Sequence, residues 1–221
     1  VPTWNRGHGG LAATAQVQQV VEQELAAAGT IAPPLAGDGV RLMGPILRQF
    51  ATPEQSNAVL PALLTGRQRW TVLLTEPGTD DPQATTCTAT FDWKYVVIDG
   101  TTSCTDDSAT HALVVTRSAD LPGHRGLTCL LVDLAEPGVS TEPGLVRFSA
   151  MNTDPANVLG NRDAGWAVVK TILPYLERSL AGRIRRGLVN VEPGIAAGNL
   201  DRTVAEVLAQ HQPLSPPPVD R

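Results

Sequence analysis

Apolar positions in the first third of the chain recur at the three-to-four-residue spacing of helices. Val17, Val20, Val21, Leu25 and Ala28 form one stripe, with Thr14 placed to cap it and Gly29 to stop it. After Pro33-Pro34 a second apolar set appears at Val40, Met43, Ile46, Leu47 and Phe50. Pro45 lies inside that set and predicts a kink or a late helix start. Thr52-Pro53-Glu54-Gln55 is a helix-start signature: a capping hydroxyl, proline in the first turn, and a glutamine three residues after the cap. Val59, Leu60, Leu63 and Leu64 supply the buried face of that third helix.

From Trp70 the period changes. Residues 70–75, 86–91, 94–98, 112–116 and 127–134 are short runs, mostly rich in β-branched residues, separated by Gly, Pro, Asp and Ser, as in the strands of a small barrel or sandwich. At Gly165 the helical period returns, with Val168, Val169, Ile172, Leu173, Leu176, Leu180 and Ile184 on one face and Pro174 predicting a kink or a split. The tail from Pro213, with Pro216-Pro217-Pro218, fits neither helix nor central strand. Helices, then strands, then a helix make an α+β order rather than alternating βαβ units. The expected organisation is an amino-terminal helical domain over 1–69 and a middle antiparallel, barrel-like β-domain over 70–160. Residues 161–221 would hold the first helix of a truncated carboxy-terminal helical domain and the proline-rich tail.

Composition narrows the function classes. The 221 residues are 42% hydrophobic, with no apolar run of bilayer length and no secretion signal. Seventeen basic against twenty-two acidic residues give a net charge of −5, a poor match to a phosphate backbone. The basic cluster Arg183, Arg185, Arg186 could meet a phosphate, or simply decorate a solvated helix end. Cys87, Cys104 and Cys129 are odd in number and lack CxxC spacing, which implies reduced, buried thiols and a cytoplasmic protein. The four histidines are scattered, so no metal site is expected.

Several phrases in order carry a resemblance: PTWNRGHGG (2–10), VVEQELAAAG (20–29), MGPILRQFATPEQ (43–55), LPALLTGRQRW (60–70), LLTEPG (73–78) and VVIDG (96–100). GHRGLTCLLVDLAEPGV (123–139), NVLGNRDAGWAVV (157–169) and LERSLAGR (176–183) complete the set. Together they resemble the acyl-CoA dehydrogenase family. The resemblance implies FAD as cofactor, an acyl-CoA substrate in fatty-acid or sterol side-chain oxidation, and removal of two hydrogens to leave an α,β double bond. It also implies a homo- or hetero-oligomer with an acyl-CoA dehydrogenase subunit, and electron-transfer flavoprotein as acceptor.

In that likeness Leu74 and Thr75 are cofactor-binding, Thr75 matching the family's flavin-contacting threonine; Thr75 is otherwise a strand-ending threonine before a Pro-Gly turn. Glu76 reads as a structural member of the turn. Glu177 matches the position where some branches keep the base that takes the α-proton; its other reading is a solvated helix carboxylate beside Arg178. Three departures stand out. The family's serine after the TEPG phrase is absent from Gly78-Thr79-Asp80-Asp81. Cys104 occupies the place of the tryptophan that lies against the flavin, with Thr105 as the nearby hydroxyl. The connection between Gly138 and Asn157 is shorter than the family's pair of strands there, so the family's FNEV-like strand is expected to be missing, and the helix over 165–186 is expected to leave its apolar face exposed. The chemistry expected is thus that of a dehydrogenase, or alternatively a non-catalytic partner subunit or truncated remnant of one.

Overall fold

The helix-start signature at Thr52 is realised in full in the computed structural model of the chain. The Thr52 hydroxyl accepts the Gln55 N–H at 3.2 Å, and the Gln55 side-chain oxygen accepts the Thr52 N–H at 3.0 Å. The structure describes residues 4, 6–8, 10–28 and 39–185, the side chains of residues 8, 22, 26, 41 and 176–185 excepted. The chain divides into one unit over 1–175 and another over 176–221.

Among the described residues, three α-helices precede the sheet: α1 (Ala15–Ala27), α2 (Gly44–Phe50) and α3 (Pro53–Leu64). A π-helical turn over Gly39–Met43 leads into α2, and Pro45 falls in the first turn of α2. There its missing N–H costs no intrahelical bond, so the proline sets a late start. Ile46, Leu47, Val59, Leu60 and Leu63 are buried. α1 forms where the stripe predicts it, yet the stripe is not covered: Val17, Val20, Val21 and Leu25 are all at least 36% exposed.

Eight strands come next: β1 (Trp70–Leu73), β2 (Thr88–Phe91), β3 (Val96–Ser103), β4 (His111–Arg117), β5 (Leu127–Asp133), β6 (Val139–Glu142), β7 (Leu145–Thr153) and β8 (Val158–Leu159). They run in the order β6-β7-β3-β2-β4-β5-β8, with β1 also paired to β4. Most pairings are antiparallel, but β1 lies parallel to β4, and β2 meets β4 in parallel through the single pair Thr88–Arg117. The sheet is therefore two paired groups joined at one point. Leu73, Ala89, Ile98, Val114, Leu130, Phe148 and Met151 form the core between them. Leu113 and Val115 are as fully buried as Ala112 and Val114, so β4 has both faces covered and reads as a continuous apolar run.

Two expectations are corrected. Residues 139–153 do form a pair of strands, β6 and β7. Their signature is weak because β7 carries a bulge: Ala150 adopts φ +49, and the inward set shifts from Val146 and Phe148 to Met151 and Thr153. The Ala150 N–H, out of the ladder, donates to the Asp99 carboxylate at 2.7 Å. The second correction concerns α4 (Trp166–Arg185). It runs on through Pro174 without a split, and Val168, Val169 and Ile172 are buried, not exposed.

Gln55 joins the helical and β parts. Besides completing the cap, its amide donates to the carbonyls of Ala156 at 2.7 Å and Val158 at 2.9 Å, and the residue is buried. Gln55→Ala should cost about 2–4 kcal/mol, since the Thr52 N–H and two carbonyls lose their partner while the Thr52 hydroxyl keeps its bond to the residue 55 N–H; chemical denaturation would show it as a lowered midpoint. The cysteines give a second check. Burial, with Glu76 and Asp99 nearby, pushes the Cys87 thiol up to about 12, and burial alone does the same to Cys129. Neither should be alkylated by iodoacetamide in the folded protein at pH 8, and both should react once denaturant is added. Peptide mass mapping distinguishes the two states.

Candidate functional site

The ends of β1 and β3 meet. Beyond Leu73, Leu74 stays buried, and the Thr75 carbonyl accepts the Ser103 N–H at 2.8 Å. The next amide, that of Cys104, donates in another direction, to Gly144 in the β6–β7 turn at 2.8 Å. Four of the residues singled out in the sequence thus come onto adjoining chain ends: Leu74 and Thr75 on one, Cys104 and Thr105 on the other. Leu74 turns its side chain into the core and can offer a ligand only its backbone. Thr75 is half-buried, and its hydroxyl makes no hydrogen bond among the described residues. Thr105 is exposed. Glu177 belongs to α4, but its side chain lies outside the described residues, as do those of Arg183, Arg185 and Arg186.

Immediately after Thr75 the chain makes a tight turn. Pro77 presets φ, Gly78 takes φ +89 where other residues would be strained, and the Thr79 N–H closes back on the Glu76 carbonyl at 3.1 Å. The Glu76 carboxylate then binds a strap of irregular chain. It accepts from the Thr85 hydroxyl at 2.8 Å, the Thr86 hydroxyl at 2.7 Å, the Cys87 N–H at 2.6 Å and the Thr86 N–H. Partial burial alone would raise its pKa; the bonds from Thr86, Thr85 and Cys87 outweigh this and hold the carboxyl below the usual carboxylate range. Glu76 is therefore a structural carboxylate, as its place in the turn implied.

Arg117 grips the same strap by its carbonyls. Its guanidinium donates to Gln83 at 2.7 Å, Thr85 at 3.1 Å, Leu121 at 2.6 Å, Gly123 at 3.1 Å and Arg125 at 3.2 Å. No sequence signal marks this role, because its partners are main-chain carbonyls that carry no residue signature. Gly100 brings β3 against the strap; a Cβ there would stand 2.6 Å from the Cys87 Cα.

Cys104 forms one wall of a cavity of about 200 Å³ between the β3–β4 connection and the β6–β7 hairpin. Leu134, Leu145 and Val146 supply apolar lining, and Asp106, Asp107 and Glu142 bring carboxylates. Two of these acids are engaged in the turns: Asp106 accepts from Ser108, and Asp107 accepts the Gly144 N–H at 2.9 Å. The Cys104 thiol points to the Asp106 carbonyl at 3.4 Å, and burial, with these acids nearby, raises its pKa.

The fit of these residues to the FAD that the resemblance implies is partial. The free Thr75 hydroxyl suits the polar rim of a flavin, and the Leu74–Thr75 backbone can approach it. Cys104 offers no ring face against which a flavin could lie.

No family model matches the chain. The acyl-CoA dehydrogenase FadE34 of Mycobacterium tuberculosis is 28% identical over 186 residues, which is 78% of this chain and 26% of that protein. Among solved structures, the Tcur3481-Tcur3483 steroid ACAD matches with a TM-score of 0.65 at 24% identity, covering 95% of this chain and 60% of that one. The ChsE4-ChsE5 complex from Mycobacterium tuberculosis matches with a TM-score of 0.64 at 23% identity, covering 95% and 61%. At such identities the structural likeness is one of fold. The chain spans about a quarter of FadE34 and about three-fifths of each structural neighbour. In its helices, its sheet and the ordered phrases that run through both, the chain is similar to the acyl-CoA dehydrogenases.

Proposed function

We propose that the chain takes part in FAD-dependent α,β-dehydrogenation of an acyl-CoA thioester, with a fatty or sterol side-chain acyl group, as a subunit of a homo- or hetero-oligomeric acyl-CoA dehydrogenase. The observation that carries this reading is the free Thr75 hydroxyl at the junction of β1 and β3, at the position that matches the family's flavin contact. Relatives named as acyl-CoA dehydrogenases support the reaction class, and neighbours named as a steroid ACAD and as a two-component complex support the acyl group and the assembly.

FAD, when bound, supplies the acceptor for the β-hydrogen and its electron pair. Thr75 would donate a hydrogen bond to the polar edge of the ring and orient it. Glu177 would take the α-proton onto its carboxylate, leaving the Cα–H electrons to form the double bond. Apolar surroundings favour such a base by raising its pKa. Electron-transfer flavoprotein is the acceptor we propose for the reduced flavin.

A second reading is a subunit that stabilises a dehydrogenase without carrying its flavin. The carboxylates of Asp106, Asp107 and Glu142 around the Cys104 cavity favour it, because they oppose any negative charge brought near.

Two measurements separate these readings. The chain by itself is expected to bind FAD weakly, since it presents one edge for the ring and no ring face; equilibrium dialysis showing tight, stoichiometric FAD would overturn that expectation. In a reconstituted assembly with acyl-CoA dehydrogenase activity, Glu177→Gln should abolish acyl-CoA-dependent flavin bleaching while leaving acyl-CoA binding nearly unchanged. Equal bleaching by the variant would move the base to another residue and favour the second reading.

A further inference from the structure

We propose that Glu76 is a positioning residue for Thr75: by binding the strap at residues 85–87, its carboxylate holds the end of β1 against the end of β3 and so sets where the Thr75 hydroxyl stands. The functional consequence rests on the reading of Thr75 as a flavin contact; the geometry does not.

The constraint arises where the ladder stops. β1 pairs with β4 only as far as Leu73, so Leu74 and Thr75 continue past the last paired residue. Among the described residues, the one main-chain bond that fastens Thr75 is from the Ser103 N–H. A single bond leaves the orientation of a chain end loose. The adjacent residue removes that looseness. Glu76 receives four hydrogen bonds from three consecutive residues, using both carboxylate oxygens, and charge-assisted bonds of this kind are about twice as strong as neutral ones. The strap that delivers these donors is itself fixed. Asp81 caps its 3-10 turn by accepting the Gln83 N–H at 2.9 Å, Arg117 holds the carbonyls of Gln83 and Thr85, and the Arg117 N–H donates to the Cys87 carbonyl at 2.7 Å. Thr75 thus sits between a buried Leu74 and a four-bonded Glu76.

Glu76→Gln keeps the length and one carbonyl oxygen but loses the charge and presents an amide donor where Oε2 accepted from Thr86. Thr86 is exposed, so Thr86→Val removes one donor with little effect on packing, and Thr86→Ser restores it. Neighbouring amides provide an internal control. The Ser103 N–H reports on Thr75, and the Cys104 N–H reports on the β6–β7 turn.

The test is amide hydrogen exchange by NMR on the full chain without flavin, for wild type, Glu76→Gln, Thr86→Val and Thr86→Ser. Positioning predicts that Ser103 exchanges at least about tenfold faster in Glu76→Gln, a local change of about 1.4 kcal/mol. A smaller rise is expected in Thr86→Val and none in Thr86→Ser, with Cys104 unchanged throughout. Equal acceleration at Ser103 and Cys104 in Thr86→Val, or no acceleration at Ser103, would overturn the proposal. FAD dialysis on the same proteins separates the flavin reading from the geometry. Weaker FAD binding in Glu76→Gln and Thr86→Val, rescued in Thr86→Ser, supports both. Selective Ser103 exchange with FAD affinity alike in all four proteins supports the positioning of Thr75 and overturns its role as a flavin contact.

Discussion

Residues 85–87, with the 3-10 turn over Pro82–Ala84 that leads into them, form a strap beside the junction of the two groups of paired strands, and the β-domain depends on how that strap is satisfied. Buried or half-buried backbone outside a ladder must find partners elsewhere. Here the carbonyls go to Arg117 and the N–H groups and hydroxyls go to Glu76. The two charged side chains serve the strap from opposite chemical sides, one as donor and one as acceptor. Arginine suits its part because a planar guanidinium carries five donors. A lysine could not reach the same spread of carbonyls. Since β2 and β4 share only the Thr88–Arg117 pair, this polar joint does what a continuous ladder does in a closed sheet.

The same device recurs where the helical part meets the sheet. Gln55 is buried, completes its own helix cap and spends its remaining donors on two carbonyls, one in the turn before β8 and one at its first residue. Its amide has a partner for the oxygen and two for the nitrogen, so it is close to its full capacity. Hydrophobic burial holds each layer together, while a few buried polar groups set how the layers meet. These groups have one geometry that satisfies them, whereas apolar contacts tolerate sliding.

The chemistry of the site grows out of this framework. Thr75 and Cys104 lie on strand ends that are fixed by unlike partners, Glu76 with its strap on one side and the β6–β7 turn on the other. The result is a free hydroxyl on the β1 side and, on the β3 side, a buried thiol among carboxylates. That asymmetry is compatible with one polar edge of a flavin and less so with its ring face, which is why the proposed activity is assigned to an assembly and not to the chain alone.

Local signals in the sequence determined much of the architecture: the Thr52 capping box, the late start at Pro45, five of the strands and the return of helix at Gly165. Such signals reside in neighbouring residues and in the period of burial, so they survive without knowledge of the fold. They also brought out the ordered phrases that mark the family, and the structural part played by Glu76. The β6–β7 pair was lost because a bulge at Ala150 shifts the alternation on which strand recognition relies. The exposed stripe of α1 and the burial of Val168, Val169 and Ile172 on α4 show the reverse limit, since an amphipathic pattern states which face is apolar but not whether anything covers it. Tertiary structure alone decided that β1 runs parallel to β4, that Arg117 gathers five carbonyls and that Thr75 meets Ser103. Those contacts join residues distant in the chain through backbone atoms, and backbone atoms are the same in every residue.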